Sequence, residues 1–244
     1  MELKGNTVLI TGGTSGIGLG FAEALIKLGN IVIICGRRED RLKKINERIP
    51  SIITYRCDVS NENDRRELYD WVKREHPDVN ILINNAGIQT GQKIDKSFDL
   101  LKVRQEVETN FTAPVHLCSL FVEHLKTRKN AAIINISSGL AYVPLAFMSI
   151  YCATKAGLHS FTLSLRYLLK DKNIKVFEVA PPAVDTELGH DHRGNAAPSH
   201  GGISVAEFIA ETMQALKNDE FEAAIGTAKN LKEKKELLFN MMNK

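Results

Sequence analysis

Six short runs rich in Val and Ile recur along the chain, separated by segments with helical periodicity, and this alternation constrains the fold more than any other feature. The runs lie at 7–11 (TVLIT), 31–35 (IVIIC), 52–57, 81–84 (ILIN), 132–137 (AIINIS) and 174–180 (IKVFEVA). None alternates cleanly between apolar and polar residues, as strands covered on both faces need not. Between them, apolar residues recur at helical spacing over 18–28, 40–49, 62–75, 98–126 (one helix or two), 152–169 and 205–216. A seventh short strand is expected at 222–225, followed by a helix to the C-terminus. Strand–helix alternation of this kind predicts an α/β fold: a doubly wound parallel sheet of about seven strands with helices on both faces, in one domain over 1–244. A chain of 244 residues can bury such a core without disulfides or metals.

Composition excludes several classes. The net charge of +3 is small, and the charges are interleaved rather than blocked. No basic arm suggests nucleic acid, and the Lys-rich end (KNLKEKKELL) reads as a solvated helix face. Cys35, Cys57, Cys118 and Cys152 show neither CxxC nor metal spacing, and the first three lie in apolar runs as small hydrophobes. The start MELKGNTVLITGG has no signal-peptide core, and no apolar run reaches membrane-spanning length. The expectation is a cytoplasmic protein.

The first run passes through Thr11-Gly12-Gly13-Thr14-Ser15-Gly16-Ile17-Gly18 straight into a helix. Glycines let a backbone turn tightly against a pyrophosphate, and a helix N-terminus presents free N–H donors to it. Strand, Gly-rich turn and helix in the first βα unit therefore point to a dinucleotide and a Rossmann-like fold. The second run ends Cys35-Gly36-Arg37-Arg38. A carboxylate here would bond the ribose 2′-OH of NAD, whereas Gly36 leaves that position empty and Arg37 and Arg38 offer charge to a 2′-phosphate. Cations at a helix start oppose its dipole, so they need another reason to be there. NADP(H) is the expected cofactor.

Further along come CDVS (57–60), NNAG (84–87), Asn110 in ETNFTAP, Ser138 in INISSG and Tyr151-Cys152-Ala153-Thr154-Lys155. With TGGTSGIG, and in this order, they resemble the short-chain dehydrogenase/reductase family over about 4–186. The resemblance implies that Gly12, Thr14, Ser15, Gly16, Ile17 and Gly18 lie under the cofactor phosphates. It implies that Asp58 and Val59 flank the adenine, and that Asn85, Ala86 and Gly87 line the cofactor after the fourth strand. Pro181, Val184 and Thr186 would sit beside the nicotinamide. Ser138, Tyr151 and Lys155 would be catalytic, with Asn110 as a fourth member; Tyr151 and Lys155 would also touch the cofactor.

The chemistry of these groups is compatible with that reading. Reduction of a carbonyl needs a proton donor at the developing alkoxide, and oxidation needs a base at the alcohol. Tyr151 would serve as both if its phenol, ordinarily near pKa 10, were lowered by a nearby ammonium and an oxidised nicotinamide. Lys155 lies one helical turn away on the same face. Each residue also has a plainer account: Tyr151 in the core, Lys155 snorkelling, Ser138 ending a strand, Asn110 capping a helix.

Two departures from the family pattern stand out. Pro182 occupies the position of a usual glycine in PPAVDT (181–186), which stiffens that loop. The C-terminus lacks the family's Asp-Gly-Gly turn, so a homodimer through 98–126 and 152–169 is expected rather than a tetramer. Both features resemble a small subgroup, the oxidoreductase encoded beside the D-alanyl–lipoteichoic acid machinery of Gram-positive bacteria. Substrate specificity is expected in 89–94, in 139–150, and in a polar lid over about 186–204 holding His190, His192, Arg193 and His200. No metal is expected. The alternatives to a small-molecule carbonyl or alcohol oxidoreductase are a silent NADP-binding sensor and a subunit that serves a partner protein.

Overall fold

The computed structural model describes residues 1–92, 94, 98–188 and 202–244. Its strands are β1 (Thr7–Thr11), β2 (Ile31–Gly36), β3 (Ile52–Arg56), β4 (Val79–Asn84), β5 (Ala131–Ile136), β6 (Ile174–Ala180) and β7 (Glu222–Ala224). They form one sheet in the order β3-β2-β1-β4-β5-β6-β7, with every pair parallel. Helices α1 (Gly16–Lys27), α2 (Glu39–Arg48) and α7 (Val205–Lys217) cover one face, where Val8, Ile10, Ile34, Ile134 and Phe177 meet Phe21 and Phe208. Helices α3 (Glu62–Glu75), α5 (Ala113–Leu125) and α6 (Ser149–Leu169) cover the other, where Leu9, Ile33, Leu82 and Ile133 meet Leu68, Phe121 and Leu165. Two apolar layers explain why the strands lack alternation. The Rossmann-like architecture expected from sequence is the one observed. No helix among the described residues is long and apolar enough to cross a membrane.

The strand order reverses between β1 and β4, and in such sheets ligands bind outside the carboxyl ends of the strands at that point. The Gly-rich turn follows β1, and NNAG follows β4.

Three segments bear on the expectations in detail. The 98–126 region is two helices, α4 (Leu100–Val107) and α5, joined by a π turn at Glu108–Thr112. The C-terminal helix is not continuous. After α8 (Ala228–Lys234), Lys235 takes φ +45° and breaks the helical ladder before α9 (Phe239–Met242). The tail then folds back on the segment expected to shape the substrate pocket: Ala146 N donates to Asn243 Oδ1 at 2.6 Å, and Asn243 Nδ2 donates to Pro144 O at 3.0 Å. Of the expected lid, 189–201 lie outside the described residues. Its two ends are tied by a bridge between Val184 and Ile203.

Candidate functional site

The turn after β1 is shaped by backbone demands. Gly12 (φ +64°) and Gly16 (φ +52°) adopt the left-handed region that glycine enters without penalty. A Cβ on Gly18 would stand 2.4 Å from the Gly12 carbonyl oxygen, so helix and turn touch only because that atom is missing. The end of β4 is laced to the turn. Thr11 Oγ1 accepts from the backbone N–H groups of Asn85 (3.0 Å) and Ala86 (3.1 Å), and Asn85 Nδ2 donates to the carbonyls of Thr11 and Gly12. Ser15 stands at the N-cap of α1 without a side-chain cap bond, and the first turn carries no acidic residue. The N-terminal donors of α1 are thus left for an anion. A cavity of about 390 Å³ opens beside this turn, lined in part by Ser15, Gly16, Thr186 and Glu187. Open donors, glycines held at close approach and an adjoining cavity fit a dinucleotide.

At the end of β2, a Cβ on Gly36 would lie 2.8 Å from Thr14 Cγ2, so the space left by the missing carboxylate is partly filled by Thr14. Arg37 is exposed. Arg38 Nη2 donates to Ser15 Oγ at 3.3 Å, which brings this second arginine onto the Gly-rich turn. Arg41 and Arg38 both approach Glu187, at 2.6 and 3.6 Å. Asp58 follows β3, where its Oδ1 accepts from Ser60 Oγ at 2.7 Å; Val59 is buried.

A second group of residues converges next to NNAG. Asn110 is fully buried in the π turn. Its Oδ1 accepts from Ile88 N and its Nδ2 donates to Ile88 O, each at 2.8 Å, while Nδ2 also reaches Thr154 Oγ1 at 3.2 Å. Asn110 therefore clips the segment after β4 to α6. Tyr151 and Lys155 lie on α6, and both are buried. Lys155 Nζ donates to Ile136 O at 2.9 Å and stands 5.8 Å over the Tyr151 ring. A Cβ on Gly87 would be 3.6 Å from that ammonium, so the glycine keeps the space before it open. Ser138 caps a short turn by accepting from Leu140 N at 3.1 Å, and it also hydrogen-bonds Tyr151. Pro181 O accepts from Gly139 N at 2.8 Å, and Thr186 touches the Gly16 side of the turn.

Burial dominates the electrostatics. It pushes the Tyr151 phenol well above 10, and the Ser138 hydrogen bond only partly offsets this. It lowers Lys155 from 10.5 to about 8, while Glu106 and Glu178 pull in the opposite sense. In the chain alone, then, the phenol is not lowered toward neutrality by Lys155. The expected activation also counted on an oxidised nicotinamide; in the chain alone, desolvation of the buried phenol dominates.

Sequence reasoning missed five side chains near this site. Glu106, buried on α4, accepts from Thr90 N at 3.2 Å and from Thr90 Oγ1. Glu187 binds the arginines. Glu178, fully buried on β6, is bonded by Ser137 Oγ and by His159 Nδ1 at 2.7 Å. Ligand atoms of His159, Glu178 and Glu222 lie within 4.8 Å of one another. Two signals were available: His159 is one further turn along the face of Tyr151 and Lys155, and Glu178 is a charge inside an apolar strand run.

Known proteins bear on this arrangement. The family model described as short chain dehydrogenase matches residues 6–196. An uncharacterised oxidoreductase, DltE of Bacillus subtilis (strain 168), is 47% identical over 223 residues, covering 91% of this chain and 88% of that protein. A 3-oxoacyl-[acyl-carrier-protein] reductase, FabG of Chlamydia pneumoniae, is 30% identical over 77% of each chain. Among solved structures, a short chain dehydrogenase from Burkholderia cenocepacia in complex with NADP superposes with TM-score 0.83 at 27% identity, covering 96% of this chain and 94% of that one. The short-chain dehydrogenase from Sphingobium yanoikuyae in complex with NADPH gives 0.79 at 27% identity, over 90% and 87%. The Gly-rich turn at the β1/β4 reversal and the match over most of the chain agree: this oxidoreductase belongs to the short-chain dehydrogenase family.

Proposed function

We propose that the chain is a cytoplasmic, one-domain NADP(H)-dependent oxidoreductase that interconverts a small-molecule carbonyl and alcohol, with Tyr151 as the acid and base. The observation that carries this reading is the convergence of buried Tyr151, Lys155, Ser138 and Asn110 beside the Gly-rich turn. When bound, the nicotinamide supplies or accepts a hydride at the substrate carbon. The protein supplies the rest. Ser138 and Tyr151 present hydroxyls to the substrate oxygen, where charge develops in the transition state. For reduction the Tyr151 O–H breaks and its proton passes to the alkoxide; burial keeps that phenol protonated until it is needed. Lys155 holds a positive charge beside the resulting phenolate and favours it. Asn110, in the π turn, braces α6 against the segment after β4.

Arg37 and Arg38 are the proposed readers of the 2′-phosphate, with Gly36 in place of a carboxylate. The NADP and NADPH of the two Burkholderia cenocepacia and Sphingobium relatives support nicotinamide binding. Titration with NADPH and NADH, followed by fluorescence, tests the whole reading. NADPH should bind at least about tenfold tighter, since a charge-assisted bond to an arginine contributes about 1.5–3 kcal/mol. Arg38→Ala and Arg37→Ala should narrow that gap. An unchanged gap in both variants removes the arginines from the reading, and no binding of either nucleotide removes the function.

The homodimer is proposed through α4 and α6, which pack together and expose Leu100, Leu101, Leu163, Tyr167 and Leu168. Exposed apolar side chains gathered on two packed helices are the kind of surface a subunit interface covers. Tyr167→Glu should convert the protein to monomer in sedimentation velocity, and a monomeric wild type would overturn the proposal.

A further inference from the structure

Behind Lys155, a row of polar side chains crosses the interior of the sheet. Asn84, Asn135, Glu178 and Glu222 are paired in register across β4, β5, β6 and β7. Asn84 Nδ2 donates to Asn135 Oδ1 at 2.8 Å, and Asn135 Nδ2 donates to Thr162 Oγ1 at 2.9 Å. Glu178 is the carboxylate of this row with no exposure to solvent. Ser137 donates to its Oε1 and His159 to its Oε2, so both oxygens are held. Ser137 directly follows Ile136, whose carbonyl receives the Lys155 ammonium. His159 is one turn past Lys155 on α6. Glu178 is thus pinned from the same strand end and the same helix that hold Lys155.

A buried charge is costly unless it is paired and hydrogen-bonded, as Glu178 is by His159 and Ser137. We propose that Glu178 is a positioning residue whose negative charge, fixed by Ser137 and His159, keeps Lys155 protonated in the buried site. The proposal rests on the Tyr151–Lys155 reading of the reaction. Glu178 acts through Lys155 and touches neither substrate nor cofactor. Among the described residues, the other charged or titratable groups around the pair are these. Glu106 faces Lys155 from α4, and Tyr151 shares its helix. Glu222 of β7 approaches His159, and Arg166 of α6 approaches Glu178 and Glu222. Tyr142 packs edge-on against the His159 ring and donates to Glu222 at 3.2 Å, Lys232 pairs with Glu222 at 3.3 Å, and Lys235 lies near His159. Lys232 supplies positive charge toward Glu222, Arg166 supplies it toward both Glu178 and Glu222, and His159 is the ring bonded to Glu178. Glu178 also favours the charged form of Lys155, and desolvation opposes it. When His159 loses its proton, the charge of Glu178 is no longer compensated by the ring and its pull on Lys155 grows.

The test reads Lys155 directly. The titration midpoint of its ε-CH₂ is followed by ¹³C NMR in the full chain without cofactor, the signal being assigned by its loss in Lys155→Met. Glu178→Gln preserves shape and removes the charge, and should lower the midpoint by about one pH unit. Glu178→Asp should restore it toward wild type. The basic limb of kcat/KM for carbonyl reduction should move down in Glu178→Gln with the NMR midpoint. An unmoved NMR midpoint overturns the proposal whatever the kinetics. A moved midpoint with an unmoved limb upholds the electrostatic link and instead counts against Lys155 in the reaction. If Glu178→Gln does not fold, His159→Gln carries the test. The Lys155 midpoint should then rise, since Glu178 loses the ring cation bonded to its Oε2; an unmoved or lower midpoint overturns the proposal.

Discussion

Tyr151→Phe is expected to lower kcat for carbonyl reduction by about 10²–10⁴-fold, the usual worth of a positioned acid or base. The substitution removes one oxygen and leaves the ring in place. The ring is buried, with the Lys155 ammonium 5.8 Å from its centre, and neither relation depends on the hydroxyl. What is lost is the proton donor and the bond to Ser138. The affinity for NADPH should therefore change by no more than about twofold, an energy of about 0.4 kcal/mol. Thermal stability should also be nearly unchanged, because a buried hydroxyl bonded to one partner contributes about 1 kcal/mol and its desolvation opposes that. The loss belongs in kcat and kcat/KM together, as for an interaction made in the transition state. A variant with more than a tenth of wild-type turnover, on a substrate the wild type reduces, would exclude Tyr151 as the acid.

Lys155→Met should abolish turnover to a similar extent while making the protein more stable. Burial has lowered the Lys155 ammonium from 10.5 to about 8, so the folded state disfavours its charged form. The sign follows directly. Between about pH 8 and 10.5 the unfolded chain binds this proton more tightly than the folded one, so stability rises with pH across that window. Below pH 8 the cost is present in full, about 3 kcal/mol. The bond to Ile136 O returns roughly 1 kcal/mol of this. A methionine that fills the same space should then stabilise the fold by about 2 kcal/mol at pH 7. The gain should shrink as pH rises through the window and be gone near its upper end. Tyr142, Cys118 and Cys152 are also raised by burial and titrate in the alkaline range. The difference between wild-type and variant urea-unfolding profiles isolates Lys155 from them. A variant that is less stable than wild type at pH 7 would mean that the ammonium is better satisfied than its burial implies.

Together these variants separate what the site does from what the fold needs. A pair that is costly to the apo chain and indispensable to turnover is the signature of a site held ready for a ligand. Natural active sites commonly trade stability for function in this way.

Much of the molecule was legible before the structure. Runs such as TVLIT and IVIIC, buried on both faces, could only be interior strands, and their spacing by helical segments left a parallel sheet as the economical arrangement. The glycines of the first turn announced a backbone conformation that other residues resist. Tyr151 and Lys155, four apart, announced a shared helix face. These are local properties, set by residues within a turn or two of one another, and a sequence read in order displays them.

The tertiary structure alone decided what lies opposite that face. Arg38, rather than Arg37, meets Ser15 because the chain returns from β2 at a particular height over the turn after β1. Asn110 reaches Ile88 across 22 positions, and Ser137 meets Glu178 across 41. The register of β5 against β6 sets Asn135 beside Glu178, and a shift of one residue would turn that carboxylate to the other side of the sheet. The state of Tyr151 was likewise beyond the sequence, which shows a lysine nearby but not the desolvation that raises the phenol. Chain order records which groups are available; solvent exclusion and long-range register decide which of them are charged and which ones meet.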